Sequence, residues 1–101
     1  MEAHKLIQTI IEEQSQIIGK RLAHARALSS GAVQFPKENS NEVNVTKEPK
    51  IALENLLTSY EEIFGQASVD VCLSVLRKFP YEEIEPYLPD TVKPQIQPLK
   101  K

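Results

Sequence analysis

From Leu6 to Leu28 the apolar residues return at three- and four-residue steps: Leu6, Ile7, Ile10, Ile11, Ile17, Ile18, Leu22, Ala25 and Leu28. On a helix these positions form one stripe, and Lys5, Gln8, Glu12, Glu13, Ser15 and Gln16 fall on the other side, so the pattern predicts an amphipathic helix over about 3–28. Its acidic residues lie in the first half and Lys20, Arg21, His24 and Arg26 in the second, the order the helix macrodipole favours. Ser29-Ser30-Gly31 supplies the stop, since glycine takes the left-handed turn after a helix end. A second helical pattern runs through Leu53, Leu56, Leu57, Tyr60, Ile63, Phe64, Ala67, Val71 and Val75 to Lys78, with Thr46 as its capping residue and Pro49 in its first turn. Beyond Gly65 the pattern is apolar almost all round, leaving only Ser68, Asp70 and Ser74 as a narrow polar strip. Such a helix has to be enclosed, either by the rest of the chain or by a second chain.

Between the two patterns, Val33 and Phe35 alternate with Ala32 and Gln34, and Val43 and Val45 with Glu42 and Asn44, around the turn-forming run 36–41. The alternation permits a short β-hairpin. A mobile polar loop is the favoured reading, because two four-residue strands make a marginal sheet unless a helix covers them. After Pro80 a short third helix is expected over Tyr81 to Glu85, with Glu82 and Glu83 in its first turn, and Pro86 and Tyr87-Leu88-Pro89 end it. The prolines and lysines of 93–101, with isolated Ile96 and Leu99, read as an extended or disordered tail. The expected fold is thus mainly all-α, a single helical domain over 1–92 followed by that tail.

Sliding the chain by 46 positions lays Ile17-Ile18-Gly19 on Ile63-Phe64-Gly65, Ile10-Ile11 on Leu56-Leu57, Ile7 on Leu53, Ala23 on Val69, Ala25 on Val71 and Ala27 on Leu73. Two of the three glycines occupy the equivalent place, where a mid-helix glycine costs about 1 kcal/mol relative to alanine. The match points to an internal duplication of about 5–28 in about 51–74. Against it, any two amphipathic helices align on their apolar positions, and each glycine alone accounts for a kink or a close helix approach. If each glycine breaks its segment, alanine there strains the chain; if the helix is straight, alanine stabilises it.

Composition narrows the function more by exclusion than by assignment. At 101 residues the chain makes one domain with a modest core. Its single cysteine, Cys72, permits no internal disulfide and fits a reducing, cytoplasmic setting. No signal-peptide pattern opens the sequence, and no apolar run approaches the ~20 residues of a membrane span. A net charge of −2 gives no general attraction to nucleic acid or anionic lipid.

No glycine-rich phosphate loop, nucleotide fingerprint or metal-ligand spacing is present. No catalytic residue, metal or cofactor is therefore expected. Cys72 lies in an apolar turn and reads as a buried thiol, His24 as a surface histidine, and the glutamate pairs as solvated helix faces. What remains are two candidate interaction sets. Lys20, Arg21, His24 and Arg26 offer positive charge to an acidic partner; Tyr60, Phe64, Tyr81 and Tyr87 offer aromatic surface of the kind interfaces use, although core aromatics give the same pattern. The resulting expectation is a non-enzymatic protein-interaction or regulatory module, acting as a homodimer or on an unidentified protein partner. The alternative is a sensor enclosing an apolar small molecule between helices, which an internal cavity favours.

Overall fold

The computed structural model describes residues 3–37 and 42–96. Both long patterns are helical, and both are broken at their glycine. The first divides into α1 (Ala3–Ile18) and α2 (Lys20–Ser29), the second into α3 (Pro49–Phe64) and α4 (Gln66–Leu76). Gly19 has φ 91° and ψ 147°, and Gly65 has φ 62° and ψ −147°. Side chains with a Cβ rarely occupy these conformations, so glycine is what allows one helix to end and the next to begin on a single residue. The Gly19 N–H still donates to Ser15 O and its carbonyl accepts from the Ala23 N–H, each at 3.0 Å. At Gly65 the N–H donates to Glu61 O at 2.7 Å and the carbonyl accepts from Ser68 N–H at 3.2 Å.

The break re-aims the buried face. α1 buries Leu6, Ile7, Ile10, Ile11 and Gln14, but α2 buries only Ala23 and Ala27. Ile17, Leu22, Ala25 and Leu28, which the periodicity places on the continuing stripe, are exposed. A stripe drawn through Gly19 assumes one straight axis, and the left-handed residue supplies two. The small Ala23 and Ala27 let α2 approach α3 closely, and Tyr60 crosses that gap to donate its hydroxyl to Ala23 O at 2.9 Å. Ser59 and Arg26 tie the same two helices reciprocally. Ser59 Oγ donates to Arg26 O at 2.8 Å, and Arg26 Nη2 donates to Ser59 O at 3.2 Å.

The connector forms the hairpin rather than the loop. β1 (Val33–Gln34) pairs antiparallel with β2 (Asn44–Val45) in the register Val33 with Val45 and Gln34 with Asn44. Two residues per strand hold because the helices cover them: Ala32, Val33 and Val43 join the core, and the Val43 N–H donates to Gln8 Oε1 of α1. Thr46 does not cap α3. Its hydroxyl donates to Gly31 O at 2.7 Å and its N–H to Ala32 O at 3.0 Å, which closes the base of the hairpin. Glu48 takes the N-cap position without a side-chain hydrogen bond, and Pro49 opens the helix.

α4 faces the core through Cys72, Leu73, Val75 and Leu76, while Val71 and Val69 are half-buried and Ala67 is exposed. Ser68, expected on the polar strip with Asp70 and Ser74, is buried. α5 (Tyr81–Ile84) follows Pro80 as expected and passes into a 3₁₀ turn, Glu85–Tyr87, with Pro86 in its first turn. The chain then departs from the expected tail: Lys93–Ile96 form a short helix, α6, with Val92 and Ile96 buried. Two apolar side chains four residues apart make one helical face, and docking them beside α4 outweighs the low helical propensity of the segment. Residues 97–101 of that tail, like residues 38–41, lie outside the described residues.

Candidate functional site

The two glycine breaks meet at one crossing. On one side Gln14, five residues before Gly19, reaches Ser68, three residues after Gly65; on the other Ala23, four residues after Gly19, receives the hydroxyl of Tyr60, five residues before Gly65. Each contact lies within about one and a half helical turns of both breaks, so the end of α1, the start of α2, the end of α3 and the start of α4 converge.

Beneath the crossing lies a buried polar knot. The Gln14 side chain is wholly buried, its amide nitrogen donating to Ser68 O at 3.0 Å and to Cys72 Sγ at 3.3 Å, while its oxygen accepts from Ser68 Oγ at 3.4 Å. Burial pushes the Cys72 thiol up to about 12, with the Gln14 hydrogen bond pulling the other way. Burial also raises the Tyr60 hydroxyl, and nearby Cys72 adds to the effect. Both groups are held neutral and inaccessible, which suits structure and not nucleophilic or proton-transfer chemistry. Gln14 sits at the helical step between Ile11 and Ile18, the one polar side chain on the α1 stripe, and that interruption is its signal in the sequence.

Near the two breaks four large hydrophobic side chains are exposed. Ile17 is 61% exposed, Phe64 40%, Ile63 38% and Leu22 37%. All four lie within three residues of Gly19 or Gly65. Leu28 and Ile51 are also exposed, but at the ends of α2 and α3 away from the breaks. Charged residues stand near the same glycines along the chain: Arg21 in the first turn of α2, and in the last turn of α3 Glu62, which lines the cleft with Arg26 and Asn55, and Glu61, which lines another with Gln66 and Gln95. Among the described residues no ion pair joins Arg21 to either glutamate.

No known protein family, curated protein or solved structure matches this chain. The surface therefore has to be read from its own chemistry.

The residues singled out in the sequence are dispersed. Lys20 and Arg21 are exposed beside the break, whereas His24 stacks its ring on Phe35 at a centroid distance of 4.2 Å and Arg26 turns to α3. The four do not form a single basic patch. Of the aromatics, Tyr60 is a core residue and offers no surface. Tyr81 and Tyr87 pack half-buried against the core in the C-terminal part, and of the four only Phe64 is exposed, beside Gly65. Ile17, Leu22 and Ile63 were assigned by periodicity to buried stripes and belong instead to the surface.

Clefts elsewhere vary in lining, and one of about 260 Å³ lies between Leu57, Val69, Pro89 and Val92. One of about 620 Å³ lies between His4, Pro36 and the second strand, and one of about 450 Å³ between Arg26, Asn55 and Glu62. Among the described residues no three His, Cys, Asp or Glu side chains converge as metal ligands, and no helix is long and apolar enough to cross a membrane.

Proposed function

We propose that this chain is a non-enzymatic interaction module that acts as a homodimer, with the apolar surface over the two glycine breaks as its interface. The observation that carries the reading is the exposure of Ile17, Leu22, Ile63 and Phe64, four large hydrophobic side chains that each lie within three residues of Gly19 or Gly65. Singly scattered exposed hydrophobics are ordinary, whereas four beside two helix breaks are candidates for a docking face. A second copy is the proposed occupant, because a symmetric dimer is the commonest way for a small chain to cover exposed apolar side chains. A stable dimer buries on the order of 1,200 Å² or more in total, so the interface extends beyond the four side chains to the neighbouring turns. A cytoplasmic setting accords with the buried, unpaired Cys72.

An internal duplication accords with this reading. The matched pairs Ile7 and Leu53, Ile10 and Leu56, Ile11 and Leu57, and Ala27 and Leu73 are buried alike, and both glycines interrupt a helix. The pair Ile17 and Ile63 is exposed in both copies, whereas exposed Phe64 matches half-buried Ile18 and exposed Leu22 matches buried Ser68. The ligand-enclosing alternative has less support: the recess between Leu76, Phe79, Tyr81, Ile84 and Ile96 is about 100 Å³, and the cleft that Leu57, Val69, Pro89 and Val92 line with Glu54, Glu61 and Gln95 is about 260 Å³, at or below the lower end of ordinary small-molecule sites.

Sedimentation equilibrium or light scattering from 1 to ~100 μM, a range that spans ordinary micromolar dimers, tests the proposal. The wild-type chain is expected to be a dimer and Phe64→Glu a folded monomer. A wild-type monomer throughout the range overturns it.

A further inference from the structure

Independently of the homodimer reading, we infer that the cleft between α3, α4 and the segment leading into α6 is the docking groove for the chain's own residues 97–101, with Leu99 as the anchor and Lys100 and Lys101 paired to Glu54 and Glu61. The cleft holds about 260 Å³, small for a drug-sized molecule and roomy enough for a side chain. Leu57 of α3, Val69 of α4 and, after the 3₁₀ turn, Pro89 and Val92 give it an apolar lining. Glu54 and Glu61 line it as well. Both are exposed, and among the described residues neither carboxylate has an ion-pair or hydrogen-bond partner. They stand two helical turns apart on α3, about 10 Å along its axis, with Leu57 between them. Among the described residues no basic side chain lines the cleft. Its chemistry calls for an apolar side chain accompanied by positive charge.

The chain supplies that combination where it leaves the cleft. Gln97-Pro98-Leu99-Lys100-Lys101 follows Ile96, and Leu99 is its one large apolar residue. Gln95 lines the cleft, Ile96 is buried, and Arg77 Nη2 donates to Gln95 O at 2.9 Å, so the backbone is anchored at the cleft's edge where this segment starts. An extended residue spans at most about 3.5 Å, which gives Leu99 a reach of roughly 10 Å from Ile96 and Lys101 one of about 18 Å, enough for the apolar lining and for both carboxylates. Pro98 disfavours helix at Gln97, and an extended run is the form that can lie along a groove. Tethering holds the segment at an effective concentration of about millimolar, which favours it over a second copy or a free basic peptide.

Methyl NMR of the full chain, labelled at leucine and valine, tests the docking. Deleting residues 97–101 should move the methyl resonances of Leu57, Val69 and Val92 and leave those of Val33 and Val43 in the hairpin in place, and Leu99→Ser should reproduce that pattern. Lys100→Glu together with Lys101→Glu should lower the ratio of docked to free segment about three- to tenfold, read from where the Val92 resonances fall between their wild-type and deletion positions. Raising salt from about 0.05 to about 0.5 M should act in the same direction. Adding Glu54→Lys and Glu61→Lys to the lysine reversal should restore docking. Resonances unmoved by the deletion, or moved by it but not by Leu99→Ser, overturn the proposal. Shifts indifferent to salt and to the lysine reversal overturn the pairing with Glu54 and Glu61. The pattern should be independent of protein concentration and the same in Phe64→Glu; shifts that grow with concentration place the segment in a second copy's cleft and overturn docking within the chain.

Discussion

Replacing Gly65 by alanine tests the geometry on which the whole surface depends. An added Cβ meets no atom within 4 Å, so the substitution involves no clash and its effect comes from the backbone alone. At φ 62° and ψ −147° an L-residue sits in a region essentially reserved for glycine, at a cost of about 1–3 kcal/mol. Alanine also narrows the unfolded ensemble, which returns about 0.4–1 kcal/mol to the folded state. The net expectation is a loss of about 1–2 kcal/mol, or roughly 5–15 °C in the melting temperature of a domain this size. Gly19→Ala, at φ 91° and also in open space, should lose stability in the same direction. D-alanine introduced at Gly65 by semisynthesis provides the control. For a D-residue the same angles are the mirror image of the relaxed polyproline basin, so it should stabilise by about 0.4–1 kcal/mol where L-alanine destabilises. Thermal and urea melts at a concentration below dimer formation read all three. An L-alanine variant as stable as wild type, or more stable, would refute the left-handed break and return the segment to one straight helix.

Along α4, Leu73→Ala should cost about 2–4 kcal/mol in urea melts because the side chain is buried, whereas half-buried Val71→Ala should cost roughly 1 kcal/mol; equal losses would mean that the helix faces another way. Cys72 should react slowly with a thiol probe under native conditions. Its thiol titrates near 9 in the unfolded chain and about 12 in the folded one, so between these values the unfolded state holds fewer protons and stability falls as pH rises. The expected slope is about 1.4 kcal/mol per pH unit above roughly pH 9, joined above pH 10 by Tyr60, whose hydroxyl is also raised. Below pH 9 the contribution is constant. Cys72→Ala should flatten the limb between pH 9 and 10, and an unchanged slope in that variant would assign the effect elsewhere.

The sequence by itself determined that the protein is helical, where its long segments begin and stop, and that something happens at the two glycines. Periodicity is a local property and was legible for Leu6 to Ile11 and for Leu53 to Tyr60, whose three- and four-residue steps correspond to the faces they bury. What happens at Gly19 and Gly65 was decided only in three dimensions. A glycine permits a straight helix and a left-handed turn alike, and the choice depends on whether α2 can lie against α3, which Ala23, Ala27 and the Tyr60 hydroxyl make favourable. Once the turn is made, residues on either side of it no longer share an axis, so Ile17, Leu22, Ile63 and Phe64 pass from stripe to surface. The hairpin, the use of Thr46 at its base, the burial of Ser68 against Gln14 and the docking of Ile96 have the same origin. Each joins segments far apart in the chain, and marginal local preferences yield there to apolar burial and to the requirement that buried polar groups find partners.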